Sequence, residues 1–301
     1  MKNFSKVISG LFKQSRPWSL ILGILMYFLG GGVLGYLGRT INWAVFFLGL
    51  GCIILLQSSS YLLKQYYDRP TPLNRPLGTK SPDENDPLID RRIFLEVAIT
   101  FLAIGAVLTV LLTIQNAIHL PSLFILGAAF IISFTYAIPP FRLVYSGYGE
   151  LADAILITNL SPMLAIVLQS SDLHRLLPML TFPITSLYLA GSISESLLNY
   201  ASDTKYFRKT LLVRLGWQLG MNLHNILILV SYLLLAIALL TGLPLILGAP
   251  GFLTLPIGIY QIIKIRQIAG GAKPHWTLLS LLARIIPIIT AYLFAFALWT
   301  R

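Results

Sequence analysis

Glu195, Asn199 and Asp203 follow one another at intervals of four, and directly behind them come Lys205, Arg208, Lys209 and Arg214. On a helix the first three project from one face, so they form a stripe of oxygen ligands that runs into a cluster of bases. Such oxygens suit a hard cation like magnesium, and arginine and lysine neutralise phosphate oxygens. The combination suits a magnesium diphosphate; the blander alternative is a hydrated membrane edge whose bases only follow the orientation rule. Ser60, Lys64 and Asp68 repeat the same spacing upstream. Two helix ends far apart in sequence thus each offer an aspartate, and a metal shared between two such helices is a known way to build a site inside a bundle.

The elements that must position these residues follow from the apolar content. Of 301 residues, 56% are hydrophobic and only 11% charged, with a mean hydropathy of +0.78, which exceeds the apolar fraction of ordinary soluble domains. The chain reads as an all-α integral membrane protein. Charge-free runs separate Arg16 from Arg39, Arg39 from Lys64, Glu96 from Arg142, Asp153 from Asp172, Arg175 from Glu195 and Arg214 from Lys264. A spanning helix takes about 20 apolar residues. The two longest runs break at QNAIHLP (115–121) and TGLPL (241–245), so each holds two helices. With a last helix over 278–299, which carries Arg284, the pattern predicts nine spans in a single membrane domain, 1–301. Their expected starts lie near residues 18, 41, 93, 120, 150, 177, 217, 244 and 278.

An odd number of spans puts the termini on opposite sides. With the N-terminus inside, 18 of the 22 lysines and arginines fall on the cytoplasmic side, leaving Arg39, Arg175 and Arg301 outside and Arg284 within a span. That bias is the one that orients membrane proteins. The expectation is a multi-pass protein of the cell membrane, with a cytoplasmic N-terminus and its C-terminus on the outer side. The net charge of +11 then reflects orientation and attraction to the anionic lipid bilayer, and nucleic acid is not implied. Phe4, Val7, Ile8, Leu11 and Phe12, at helical spacing among Lys2, Lys6 and Lys13, predict an interfacial amphipathic helix over residues 1–16. The apolar run behind it is span-length and lacks a cleavage pattern, which speaks against a removable leader.

Other candidates carry less. Cys52 is the single cysteine and falls within the second expected span, so no intrachain disulfide is expected. His119, His174, His224 and His275 are scattered without metal-ligand spacing. Asp83, Glu84, Asp86 and Asp90 sit in a proline-bearing loop and read as a solvated run. A carboxylate within a span costs about 2.5–3.5 kcal/mol on insertion scales. Asp153, one turn beyond Glu150, is therefore expected to face the cavity or to pair with Arg284. Tyr66, Tyr67, Tyr136, Tyr145, Tyr148 and Tyr200 lie in the inner segments, as interfacial belt residues or as aromatic faces for a cation.

Residues 199–216, NYASDTKYFRKTLLVRLG, resemble the second aspartate-rich motif of the UbiA superfamily of intramembrane prenyltransferases, D-x-x-x-D followed by G-K-R-T-L and V-R-L-G. Asn199 stands at the first Asp, Asp203 at the second, Phe207 at the Gly, and Arg208, Lys209 and Thr210 at K-R-T. Residues 136–150, YAIPPFRLVYSGYGE, are similar to the family loop Y-S-x-P-P-x-R-L-K-x-x-G-x-G-E, matching at Tyr136, Pro139, Pro140, Arg142, Leu143, Gly147, Gly149 and Glu150. The family's first motif, N-D-x-x-D-x-x-x-D with a later R-P-L, is met by KQYYDRPTP and NRPL. Asp68 is kept there, while Lys64 replaces Asn, Gln65 an Asp and Pro72 the last Asp. The run TLLVRLG looks closest to the menaquinone-type branch.

The resemblance implies aspartate motifs at the cytoplasmic ends of the second and sixth spans, magnesium as cofactor, and transfer of a polyprenyl group from its diphosphate to an aromatic acceptor, as in lipid-quinone synthesis. It implies Asp68 and Asp203 as metal ligands and, with Lys64, as catalytic residues. Arg142, Lys205, Arg208 and Lys209 would hold the diphosphate, and Tyr67, Tyr145, Glu195 and Asn199 would line the pocket. The replaced aspartates leave two readings open. In one, Lys64 supplies a fixed positive charge where a second cation would otherwise sit. In the other, Lys64 only neutralises Asp68 as an i, i+4 pair, and the scaffold is a non-catalytic binder of isoprenoid lipid or of a partner protein.

Overall fold

The computed structural model describes residues 16–67, 91–170, 172–205 and 208–301. Asp68 and the expected amphipathic helix, apart from Arg16, lie outside the described residues. Among the described residues the chain is all helical. Nine helices are long and apolar enough to cross a membrane: α1 Pro17–Tyr36, α2 Trp43–Tyr67, α3 Arg92–Ile114, α4 Leu120–Ala137, α5 Gly149–Val167, α6 Leu176–Lys205, α7 Trp217–Leu240, α8 Leu245–Ala269 and α9 Trp276–Trp299. Each begins within two residues of its expected start. The molecule is a multi-pass helical membrane protein.

Burial decides which helices form the centre. In α5, 78% of the apolar window is buried inside the protein, against 11% for α3, which packs on α2 and otherwise faces outward. Around α5 stand α1, α4 and α6, with α9 closing against both α1 and α6. The middle of α5 is a wide π turn, Leu156–Leu160, directly before Ser161 and Pro162. Proline has no N–H to donate to the preceding turn, and a widened turn is a common accommodation. Polar side chains at that level tie α5 to α6. Thr158 and Thr185 share a hydroxyl hydrogen bond of 2.8 Å, and Asn159 Nδ2 donates to Thr185 Oγ1 at 3.0 Å. In hydrocarbon such pairs satisfy groups that water cannot reach.

Two close backbone approaches set the helix spacing. A Cβ on Gly30 of α1 would lie 2.3 Å from the carbonyl oxygen of Pro162, and one on Gly191 of α6 would lie 2.5 Å from that of Ala283 in α9. Pro287, one turn on, cannot donate to the Ala283 carbonyl. Small residues at such contacts are what allow membrane helices to pack closely. Gly30→Ala is accordingly expected to destabilise the protein by about 1–3 kcal/mol, read as a lower unfolding midpoint in detergent. Gly105→Ala, with nothing within 4 Å of its Cβ, should leave that midpoint unchanged or slightly raised.

Candidate active site

A cavity of about 550 Å3 lies between α1, α2, α4, α5, α6 and α9. One wall is the face of α6 on which Tyr188, Ser192, Glu195, Asn199 and Asp203 succeed one another. From Tyr188 to Asp203 that wall runs for about 22 Å of helix axis. Asp203 occupies the last turn of α6 and is buried. Lys64, in the last turn of α2, lines the same mouth, joined by Tyr145, Arg208 and Thr210 from the two loops. The four-residue spacings thus bring Glu195, Asn199, Asp203 and Lys64 together, with Tyr145 and Arg208 beside them. Arg142, Lys205, Lys209 and Tyr67 lie outside the lining.

The two loops that frame the mouth are pinned to each other. Residue 146 and residue 209 form an isolated parallel bridge. The Arg214 guanidinium lies 4.6 Å over the Tyr148 ring and donates to the Ser146 carbonyl at 3.4 Å. Gly147, at φ 84°, ends the short helix Leu143–Ser146 and leaves only 3.0 Å between a would-be Cβ and Arg214 Cδ. A side chain there would be strained twice over, by backbone and by contact. Glu150 accepts from the Leu211 amide at 3.3 and 3.4 Å, and Thr210 Oγ1 accepts from the Val213 amide at 3.3 Å. A carboxylate and a hydroxyl together cap the start of helix Leu211–Leu215. On the other side, the Arg142 guanidinium donates to the Tyr67 carbonyl and stands 5.9 Å from the Tyr67 ring. It thereby satisfies the carbonyl of the last described residue of α2. Arg208 stands 5.9 Å from the Tyr145 ring.

Deeper in the cavity sits a network that the residue spacing does not announce. Asp153 is buried at 3% exposure. Its Oδ1 accepts from the Tyr61 hydroxyl at 2.8 Å, and its Oδ2 accepts from the Tyr188 hydroxyl at 2.8 Å and from Arg16 Nη1 at 3.2 Å. Gln57 Nε2 donates to Tyr61 at 3.2 Å and to the Ser19 carbonyl at 3.0 Å, which ties α1 into the same set. Asp153 does line the cavity, but Arg284 pairs with Glu195 and not with Asp153. Both arginines lie within reach of acids on the wall, and packing assigns Arg16 to Asp153. The one signal in the sequence was an acid stranded in an apolar span. Among the described residues, four cationic side chains (Arg16, Lys64, Arg208, Arg284) and four acidic ones (Glu150, Asp153, Glu195, Asp203) line the cavity.

The model of the UbiA prenyltransferase family matches residues 24–282, most of the chain. The chain belongs to that family. Membership places it among the membrane prenyltransferases. Relatives include the 1,4-dihydroxy-2-naphthoate octaprenyltransferase of Bacillus subtilis (strain 168), 23% identical over 74% of this chain and 71% of the relative. The chloroplastic 2-carboxy-1,4-naphthoquinone phytyltransferase of Arabidopsis thaliana is 34% identical over 54% of this chain and 45% of its own length. Among solved structures, a UbiA homolog from Archaeoglobus fulgidus bound to GPP and Mg2+ superposes with a TM-score of 0.66 at 18% identity, covering 97% of this chain and 99% of the other. The same homolog bound to DMAPP and Mg2+ gives 0.60, at 19% identity over 94% and 98% of the two chains. At these identities the likeness is one of fold.

Proposed function

We propose that this UbiA-family chain moves a prenyl group from a prenyl diphosphate to an aromatic acceptor of the naphthoate class, at a cavity whose mouth opens on the cytoplasm. The observation that carries the reading is the meeting of Lys64, Asp203 and Arg208, from three separate elements, at one cavity mouth. The relatives named for naphthoate prenylation support the acceptor class. The lysine and arginine bias supports the orientation.

Magnesium fits the donor set in a limited way. Among the described residues, no group of three or more His, Cys, Asp and Glu side chains is placed to hold a metal ion. Magnesium, however, is commonly held by one or two carboxylates together with substrate phosphates. Asp203, with Asp68 as its proposed partner, fits that pattern. When bound there, the ion supplies positive charge to the leaving diphosphate. The Lys64 ammonium and the Arg208 guanidinium add fixed charge to the same group, where water exclusion strengthens it. Tyr145 offers a ring face to the allylic cation. Leu22, Val144, Pro287 and Ile288 add apolar surface to the lining, which helps to shield that cation from water.

Arg142, Lys205 and Lys209 act from outside the lining. Arg142 steadies the end of α2 and so the position of Lys64. Exposed Lys205 and Lys209 surround the mouth with positive potential that draws an anionic substrate. Glu195 and Asn199 form the polar stretch of wall between the mouth and the Asp153 network.

The test is transfer by the purified protein with magnesium, a panel of prenyl diphosphates and 1,4-dihydroxy-2-naphthoate, following both pyrophosphate release and prenylated product. Product with at least one donor is the expected result. Silence across the panel would favour a non-catalytic member that only binds isoprenoid lipid.

A further inference from the structure

We infer that Arg284 recognises the acceptor, its guanidinium taking the carboxylate of an aromatic acid while Glu195 holds it in position. The inference rests on the prenyltransferase reading and names what selects the second substrate.

A basic side chain inside a membrane span is seldom kept without a partner, a water-filled cavity or a function. Arg284 stands in the third turn of α9 and lines the cavity. Glu195 answers its charge from α6 by accepting from Nε. The pair is nevertheless open, with side chains 40% and 32% exposed, whereas the Asp153 side chain is closed at 4% and taken by three donors. Among the described residues, the Nε contact is the one hydrogen bond that Arg284 makes, so the edge formed by Nη1 and Nη2 keeps its donors for a ligand. Such an edge matches a carboxylate with two parallel hydrogen bonds. Arg16, the other guanidinium in the deeper lining, already donates to Asp153 and Tyr136.

The pair is also preset. Gly191 precedes Glu195 by one turn of α6, and a Cβ there would lie 2.5 Å from the carbonyl oxygen of Ala283, the neighbour of Arg284. That backbone contact fixes α9 against α6 at the level of the pair. The guanidinium is therefore oriented before a ligand arrives, which limits the ordering cost of binding. Glu195 precedes Asp203 by eight residues, about 12 Å along α6. A diphosphate held at Asp203 fills the mouth end of that gap. The allylic carbon and the acceptor must lie beyond it, toward Arg284.

The experiment uses full-length protein in nanodiscs and two probes that differ only in the carboxylate, 1-hydroxy-2-naphthoate and 1-naphthol. Affinities are measured by titration calorimetry against empty nanodiscs. Farnesyl S-thiolodiphosphate with magnesium, a donor analogue that resists ionisation, is titrated separately. Wild type is expected to bind the acid at least about tenfold more tightly than the naphthol, the scale of one charge-assisted hydrogen bond. Arg284→Gln should erase that preference and leave the affinities for naphthol and thiolodiphosphate unchanged. Arg284→Lys, which keeps the charge without the fork, should retain part of it. Arg284→Gln combined with Glu195→Gln keeps a neutral hydrogen-bonded pair and should show the same loss, and it decides the matter if the single variant does not fold. A wild type without acid preference, or a preference that survives in the Gln variants, overturns the inference, while intact thiolodiphosphate binding leaves the prenyltransferase reading standing. An equal loss of thiolodiphosphate affinity in Arg284→Gln also overturns it, because the residue then serves the donor. A wild type that binds neither acid nor thiolodiphosphate removes the underlying reading, and the inference falls with it.

Discussion

Asp203→Asn is expected to lower prenyl transfer by at least about a hundredfold, the range seen when one preorganised electrostatic contact to a developing charge is removed. The substitution keeps shape and removes only charge. Asp203 is buried at 7% exposure in the last turn of α6, beside Arg208 and across the mouth from Lys64. Its backbone carbonyl accepts from the Arg208 amide at 2.9 Å, and that bond survives in the variant, so the loop should keep its path. Single-turnover rates at saturating donor isolate the chemical step, and an unchanged thermal midpoint confirms that the fold is retained. Full activity in Asp203→Asn would take the residue out of the site altogether.

The second large effect concerns stability. Asp153→Leu removes the acceptor of two tyrosine hydroxyls and the partner of Arg16 in a single step. Buried donors left without acceptors cost about 1–3 kcal/mol each, and breaking a buried ion pair from one side costs about 3–5 kcal/mol. Arg16 is 44% exposed in its side chain, so water recovers part of its loss, and we expect a net cost of about 2–4 kcal/mol. It should be visible as a clear fall in the detergent unfolding midpoint. Arg16→Met combined with Asp153→Leu should recover a substantial part, because replacing both partners by apolar groups of similar size is often close to neutral. A double variant no more stable than Asp153→Leu alone would show that the tyrosine hydroxyls, not the ion pair, carry the cost. An undisturbed midpoint in Asp153→Leu would show that the network does not hold α1, α2, α5 and α6 together.

Both substitutions fall on one molecule, yet the two residues were unequally legible. Asp203 stands out because Glu195, Asn199 and Asp203 share a helical face by spacing alone, and because bases follow it. The nine spans are legible for a related reason. A bilayer of fixed thickness demands apolar runs of fixed length, and charges, prolines and glycines mark where each run stops. Local periodicity and the positive bias of the loops therefore determine the helices, their order and the end of the bundle at which the bases gather.

What periodicity leaves open is which helix face meets which. Arg16 finds Asp153 across 137 residues, and Arg284 finds Glu195 across 89. Each choice depends on how α1 and α9 seat against α5 and α6, through contacts such as Gly30 on Pro162 and Gly191 on Ala283. The basic residues divide for the same reason. Arg208 turns to the cavity, whereas Arg142 donates to the Tyr67 carbonyl of α2 and Arg214 is held over Tyr148. A guanidinium goes to the carboxylate, carbonyl or ring face that packing brings within reach, and only the packed helices decide which one that is.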